Sequence, residues 1–534
     1  MCKPGGQGGS GARNHVRIPC FGDSNSLFRA PGNSLLSSKF RSVFSGGLFR
    51  PARNRETRLI RVPMGWSSGV GRTVYPAANP ASMAPHLGRF RMKPSVRTTV
   101  GAVALAAAIG ALSLGVASAQ PKPDEVLVIH AGRLLDRPGQ APRGASTVIV
   151  RNGKIEAVRD GHVDPASIPG ARLVDLKDRF VLPGLIDSHV HLESDRAGIE
   201  GQLADVTDSA PARAYETAVN ARKTLDAGFT TVRNLGDGTG STLALRDAVA
   251  RGDMPGPRIV DAGRSISTTS GHMDGTLGYE EHLHSAIGQE NLCDGADACR
   301  RAVRLQIRRG VDVIKIATTG GVNSRIGAGL GQQMFDDEAK AIVETAHLYG
   351  KKVAVHAHGA DGVKTALRAG ADSIEHGTLM DDEDIKLFVK TGAYYVPTLS
   401  TVNGYLERIA RDPNAYPPAV RAKIDWRISI TGKALQRAFP RGVKIAFGTD
   451  AGVSKHGRNA DEFELMVKYG MSPMDAIKAA TVNAADLLGL SQEIGTIEPG
   501  KRADIVAVAG DPLADVTVLK RISFVMTNGR VWRE

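Results

Sequence analysis

The stretch VLPGLIDSHVHL, residues 181–192, ends an apolar run with two histidines two positions apart, His189 and His191. Alternate residues of a strand share a face, so the two imidazoles project together. Two neutral imidazoles on one face can share a divalent ion, or they can be rim histidines with ordinary hydrogen bonds. Similar residues recur further along: His356 and His358 in VAVHAH (353–358), His376 in SIEHG (373–377) and Asp450 in KIAFGTD (444–450). Lys315, in DVIKIA (312–317), lies between apolar residues in a strand that should be buried. A buried ammonium is costly and its pKa falls. The neutral amine can then add carbon dioxide to give a carbamate, whose two oxygens can bridge two metal ions. The alternative is a lysine paired with an acid.

The elements that must position these residues alternate regularly. Strand-like segments at 185–189, 229–235, 257–263, 312–317, 353–358, 373–377, 393–398 and 444–450 are each followed by a helix-like one. Such alternation indicates parallel strands with crossover helices, and eight repeats suggest a closed (β/α)8 TIM-like barrel over residues 183–490. The flanks, 123–182 and 491–534, hold strands and turns without helices. They are expected to join as one small β-sandwich domain beside the barrel. Catalytic residues of such barrels lie at the C-terminal ends of the strands. Strand one offers His189 and His191, strand four Lys315, strand five His356 and His358, strand six His376, and strand eight Asp450. Residues far apart in sequence thus gather on one face.

The HVH after VLPGLID, Lys315, His356, His376 and the GTDAG around Asp450 together resemble the amidohydrolase superfamily, over roughly residues 123–534. The nearest branch holds imidazolonepropionase-like proteins, Xaa-Pro dipeptidases and ochratoxin-degrading amidohydrolases. The resemblance implies two divalent ions, with zinc expected. His189, His191 and Asp450 would hold one, His356 and His376 the other, and carboxylated Lys315 would bridge them with a shared hydroxide. Asp450 would move the proton from the attacking oxygen to the leaving nitrogen. His358, and His272 in TTSGHMDG, would be catalytic through the substrate carbonyl or oxyanion. A rim histidine is the alternative for these two, and His456, in KHGRN, is a weaker substrate-side candidate. Arg233, in TVRNLGD, reads better as a structural partner inside the barrel than as a carboxylate receptor. His282, His284 and His347 read as surface or helix residues.

The formal charge of +13 does not describe the body of the chain. Residues 1–91 hold fourteen Lys/Arg against two acids, Asp23 and Glu56, and residues 120–534 are close to neutral. The basic average therefore gives no reason to expect nucleic acid. Residues 92–119 carry a basic start (MKPSVR), a long apolar run and a small-residue site (ASA), the pattern of a secretory signal peptide. Secretion or a periplasmic location is expected, with no membrane attachment after cleavage. Residues 1–91, rich in Gly, Ser, Arg and Pro, read as a non-native or disordered extension upstream of a true start at Met92. A transit peptide is the rival. Natural protein beginning at residue 2 would sink the mis-start idea. Cys293 and Cys299 are either a disulfide or two thiols.

The expected function is binuclear metal-dependent hydrolysis of amide bonds in dipeptides or N-acyl amino acids with a free carboxylate, including Xaa-Pro and ochratoxin-type amides. The alternatives are a cyclic amidase opening an imidazolone-like ring and, from another class, a non-catalytic binding protein on the same scaffold. Small-molecule substrates and a homo-oligomer are the expected partners.

Overall fold

The computed structural model describes residues 125–325 and 329–534, all within one unit, Leu112–Glu534. The leader, the signal segment and the cleavage site lie outside the described residues.

Four strands open the chain: β1 Val126–Leu134, β2 Ser146–Arg151, β3 Lys154–Asp160 and β4 Ala171–Pro183. Three close it: β13 Ile505–Val508, β14 Ile522–Thr527 and β15 Arg530–Arg533. The two flanks share one seven-stranded sheet, ordered β15-β14-β13-β4-β1-β2-β3. The joint is β4, which runs parallel to β1 along most of its length and antiparallel to β13 near its end, where Phe180–Pro183 face Val508–Ile505. Leu127, Ile129, Val148, Val174, Ile505 and Phe524 form a core of this sheet, separate from the main core. The pairing is thus one mixed sheet rather than two facing sheets of a sandwich.

Between the flanks come eight short parallel strands: β5 Leu185–Val190, β6 Phe229–Asn234, β7 Arg258–Asp261, β8 Val313–Ala317, β9 Lys352–Ala357, β10 Ser373–His376, β11 Tyr394–Val396 and β12 Lys444–Ile445. Most are buried along their whole length, as parallel strands covered on both faces must be. The helices that cover them are stopped by glycines in the left-handed region, Gly252, Gly370 and Gly392, a conformation that Gly adopts without Cβ strain. Helix Asp382–Thr391 starts on a reciprocal capping box between Asp381 and Asp384.

The eight strands are two ladders, β5–β6–β7 and β8 to β12, rather than the single closed ring expected from the sequence. Only two residues of β12 pair in the ladder, although Ala446 N still donates to Tyr395 O at 3.0 Å. Individual backbone bonds cross both seams. Ser188 N donates to Phe447 O at 2.9 Å and Asp450 N to His189 O at 2.7 Å, while Ile266 N donates to Lys315 O at 2.8 Å. These bonds hold β5 beside the end of β12 and β8 beside the segment after β7.

Candidate active site

The C-terminal ends of β5, β8, β9, β10 and the β12 segment converge on a cavity of about 180 Å3. It is lined by His189, His191, His272, Lys315, His356, His358, His376 and Asp450. Two groups converge to metal-binding spacing, with candidate ligand atoms within 4.8 Å of one another: His189, His191 and Asp450, and His356, His358 and His376. In the first, the Asp450 carboxylate oxygen is 3.5 Å from His189 Nε2 and 3.4 Å from His191 Nε2.

Four of these five histidines are oriented by a bond on one ring nitrogen. His189 Nδ1 donates to Glu375 Oε2 at 2.8 Å. His376 Nδ1 shares a 2.7 Å bond with the Thr398 hydroxyl, and His358 Nδ1 a 2.8 Å bond with that of Thr378. All three leave Nε2 for the cavity. His356 is turned the other way: its Nε2 is 3.3 Å from Gly320 O, which leaves Nδ1. Partners of this kind fix ring orientation and tautomer in metal sites. Burial lowers the pKa of every one of these imidazoles, which favours the neutral, ligating form.

Lys315 is 1 % exposed, and its Nζ has no hydrogen-bond partner among the described residues. An unpaired buried ammonium is expensive. Burial pulls the Lys315 amine down and pushes the Asp450 carboxyl up, each toward its neutral form. Glu375 is held ionised, at about 2, because Arg233, the His189 bond and the charge of Lys315 more than reverse the effect of burial. No hydrogen bond joins Lys315 to an acid among the described residues; Glu375 and Asp450 act on it through their charge.

Backbone geometry aims the ligands. His376, Thr398 and Asp450, at the ends of β10, β11 and the β12 segment, have φ of 72°, 50° and 56°. Non-glycine residues in the left-handed region store strain and cluster at functional sites. Asp187 ties the end of β5 to the β12 segment. It accepts from His189 N at 3.1 Å and Thr449 N at 3.1 Å, and from Asn459 Nδ2 at 2.8 Å. Gly448 is confined by its neighbours: a Cβ there would sit 2.4 Å from Val396 Cγ1 and 3.0 Å from His189 Cβ.

The other sequence candidates divide. His272 lines the cavity, with its ring stacked on His356 at 4.0 Å between centroids and Nδ1 bonded to Ser324 Oγ at 2.6 Å. His456 does not line it. Its Nε2 donates to the His191 carbonyl at 3.0 Å and its Nδ1 shares a 3.0 Å bond with Thr224 Oγ1, which leaves no ring nitrogen for a substrate. It supports the turn that carries His191 instead. Arg233, 2 % exposed, donates to Ser188 O, Ser373 Oγ and Glu375 Oε1. Glu375, Arg427 and Tyr405 were not singled out from the sequence. The signal for Glu375 was present, as an acid inside the short buried strand SIEHG. Arg427 and Tyr405 sit in ordinary helical sequence and had none.

Cys293 and Cys299 are joined as a disulfide. His282 is exposed, and His347 pairs with Asp372 at 2.9 Å on the surface.

The family model for the amidohydrolase family matches residues 180–532. Ochratoxinase from Aspergillus niger is 32% identical over 430 residues, covering 77% of this chain and 87% of the relative. A solved Xaa-Pro dipeptidase with bound methionine in its active site is 38% identical, with TM-score 0.71, covering 77% of this chain and 100% of that one. A prolidase complexed with N-methylphosphonate-L-proline is 29% identical, with TM-score 0.70 and the same coverage. With its two ligand groups at the strand ends and a match that spans both the strands and the closing flank, this chain belongs to the amidohydrolase family and is a hydrolase of carbon–nitrogen bonds.

Proposed function

We propose that the protein is a binuclear metal-dependent amidohydrolase that cleaves dipeptides or N-acyl amino acids bearing a free carboxylate. One observation carries the reading: the unpartnered Lys315 amine is buried in the cavity where the two ligand groups meet. The donor set fits two divalent ions, zinc foremost. His189, His191 and Asp450 would hold one, His356 and His376 the other, and the carbamate of Lys315 would join them. Bound ions of this kind supply Lewis acidity, lowering the pKa of water and polarising a scissile carbonyl.

The chain's own residues do the rest. Asp450 takes the proton of the attacking water at its carboxylate and delivers it to the leaving nitrogen. The pressure of burial toward its neutral form suits that shuttle. His272 and His358 face the substrate carbonyl and stabilise charge on its oxygen. The names of the relatives point to Xaa-Pro dipeptides and ochratoxin-type amides as the first substrates to try. The same reading takes the protein to be exported, on the pattern of residues 92–119 and the Cys293–Cys299 bond, and mature protein beginning at Gln120 would agree with it.

A panel of Xaa-Pro dipeptides, N-acyl amino acids and ochratoxin A tests the function. Hydrolysis that is abolished by a chelator and restored by Zn2+ is expected. Metal-replete protein that turns over none of them, or activity indifferent to chelation, contradicts the proposal.

A further inference from the structure

Helix Pro418–Ile430, the second after β11, carries Lys423 and Arg427 one turn apart. Lys423 is consumed by the loop beyond β8, where its ammonium donates to the carbonyls of Gly321 at 2.9 Å and Ser324 at 2.5 Å. Arg427 is not consumed. It is 3 % exposed, yet it lines the same cavity as Lys315 and Asp450. Its hydrogen bonds among the described residues are two long ones, Nη1 to Thr431 Oγ1 at 3.3 Å and Nη2 to Thr398 O at 3.4 Å. No acid among the described residues pairs with it. A guanidinium has five N–H donors, so most of its capacity is unmet.

Other buried arginines at this end of the molecule are satisfied. Arg233 has Glu375, and Arg408 donates to the carbonyls of Val453, Asp195 and Gly452. A buried cation short of partners is costly unless something else completes it. On the same cavity wall lies Tyr405, also 3 % exposed, whose hydroxyl makes no hydrogen bond to a described residue.

We infer that Arg427, with the Tyr405 hydroxyl lining the same cavity, receives the substrate's free carboxylate. The inference rests on the amide-hydrolase reading and deepens it, because it names the groups that select the substrate. A carboxylate offers two oxygens in the plane that a guanidinium fork matches, and it returns the missing charge. Free acids are therefore selected over their carboxamides.

Two measurements on the full chain test this. The first needs no turnover: the melting-temperature shift produced by each free L-amino acid, against that produced by its carboxamide. Wild type is expected to be stabilised by at least one amino acid and less by its amide. Arg427→Gln is expected to erase the difference, and Arg427→Lys to restore part of it. The second is kcat and KM for the best substrate of the panel and its carboxamide. Arg427→Gln is expected to lower the acid-to-amide ratio of kcat/KM by about 10- to 100-fold, mainly through KM. Tyr405→Phe, which keeps the ring, is expected to lower it less and remains readable if Arg427→Gln fails to fold. A damaged fold would depress acid and amide together and leave the ratio unmoved. A ratio unchanged in Arg427→Gln and in Tyr405→Phe, or no wild-type preference for acids in either measurement, overturns the inference. Amino acids that bind through Arg427 without any amide being cleaved would instead leave the carboxylate receptor standing and sink the hydrolase reading.

Discussion

His356 and His358 are two residues apart at the end of β9, and both converge with His376. Their surroundings differ. His356 has Nε2 toward Gly320 O and its face against His272, whereas His358 is anchored through Nδ1 to Thr378 and its backbone N–H donates to Thr319 Oγ1. The proposed division of labour gives His356 to metal and His358 to substrate. His356→Ala is then expected to drop bound metal from two ions per chain to one. His358→Ala is expected to keep two and to lose turnover by roughly a hundredfold, in the range of an oxyanion-stabilising group. Elemental analysis beside kcat checks both, and the reverse pattern would exchange the two roles. The histidines were legible from type and spacing, since few residues ligate metal and period-two spacing fixes a shared face. Their differing partners were not, because Thr378, Thr319 and Gly320 come from neighbouring strand ends and belong to no local pattern. His456 shows the converse: its short polar motif reads as a substrate-side candidate, and only the fold brings the His191 carbonyl and Thr224 to its ring.

Among the elements, β6 is the quiet support of the site. Its Arg233 reaches the Ser188 carbonyl of β5 at 2.6 Å and both Ser373 and Glu375 of β10, and Glu375 in turn fixes His189. Arg233 and Glu375 are 2 % and 0 % exposed. Removing one member of such a pair leaves an uncompensated buried charge. Arg233→Met is expected to cost about 3–5 kcal/mol of unfolding free energy. It is also expected to weaken metal binding through His189. Urea unfolding of the metal-free protein measures the first effect, and a loss below about 1 kcal/mol would show that the pair is not the tie described. Eight strand positions were readable because a parallel strand buried on both faces is a continuous apolar run flanked by helical periods. The breaks between the ladders were not readable. The apolar run KIAF continues past the two paired residues of β12, but the left-handed φ at Asp450 is a tertiary demand that propensity does not encode.

At the scale of the whole molecule, both ends of the described chain meet in one sheet. β4 leads directly into β5, so the flanking sheet and the first ligand pair share one continuous segment, Ala171–Val190, broken only at Gly184. The sequence showed that both flanks are β-rich and lack helices. It did not show that β13 would insert beside β4, because strand order is set by pairing across more than 300 residues. The net charge of +13 was a poor guide, since it belongs to the leader rather than to the body that forms the site. The central claim concerns the two ligand groups and the lysine between them, and it is a claim of stoichiometry. The most direct test is metal per chain by elemental analysis, on wild type and on Lys315→Ala prepared alike. The account predicts two divalent ions per chain in wild type. It predicts their loss with activity in Lys315→Ala, and partial recovery of both when a short carboxylic acid is added. A wild-type chain that saturates at one ion, or a Lys315→Ala protein that keeps two ions and full activity, would contradict it.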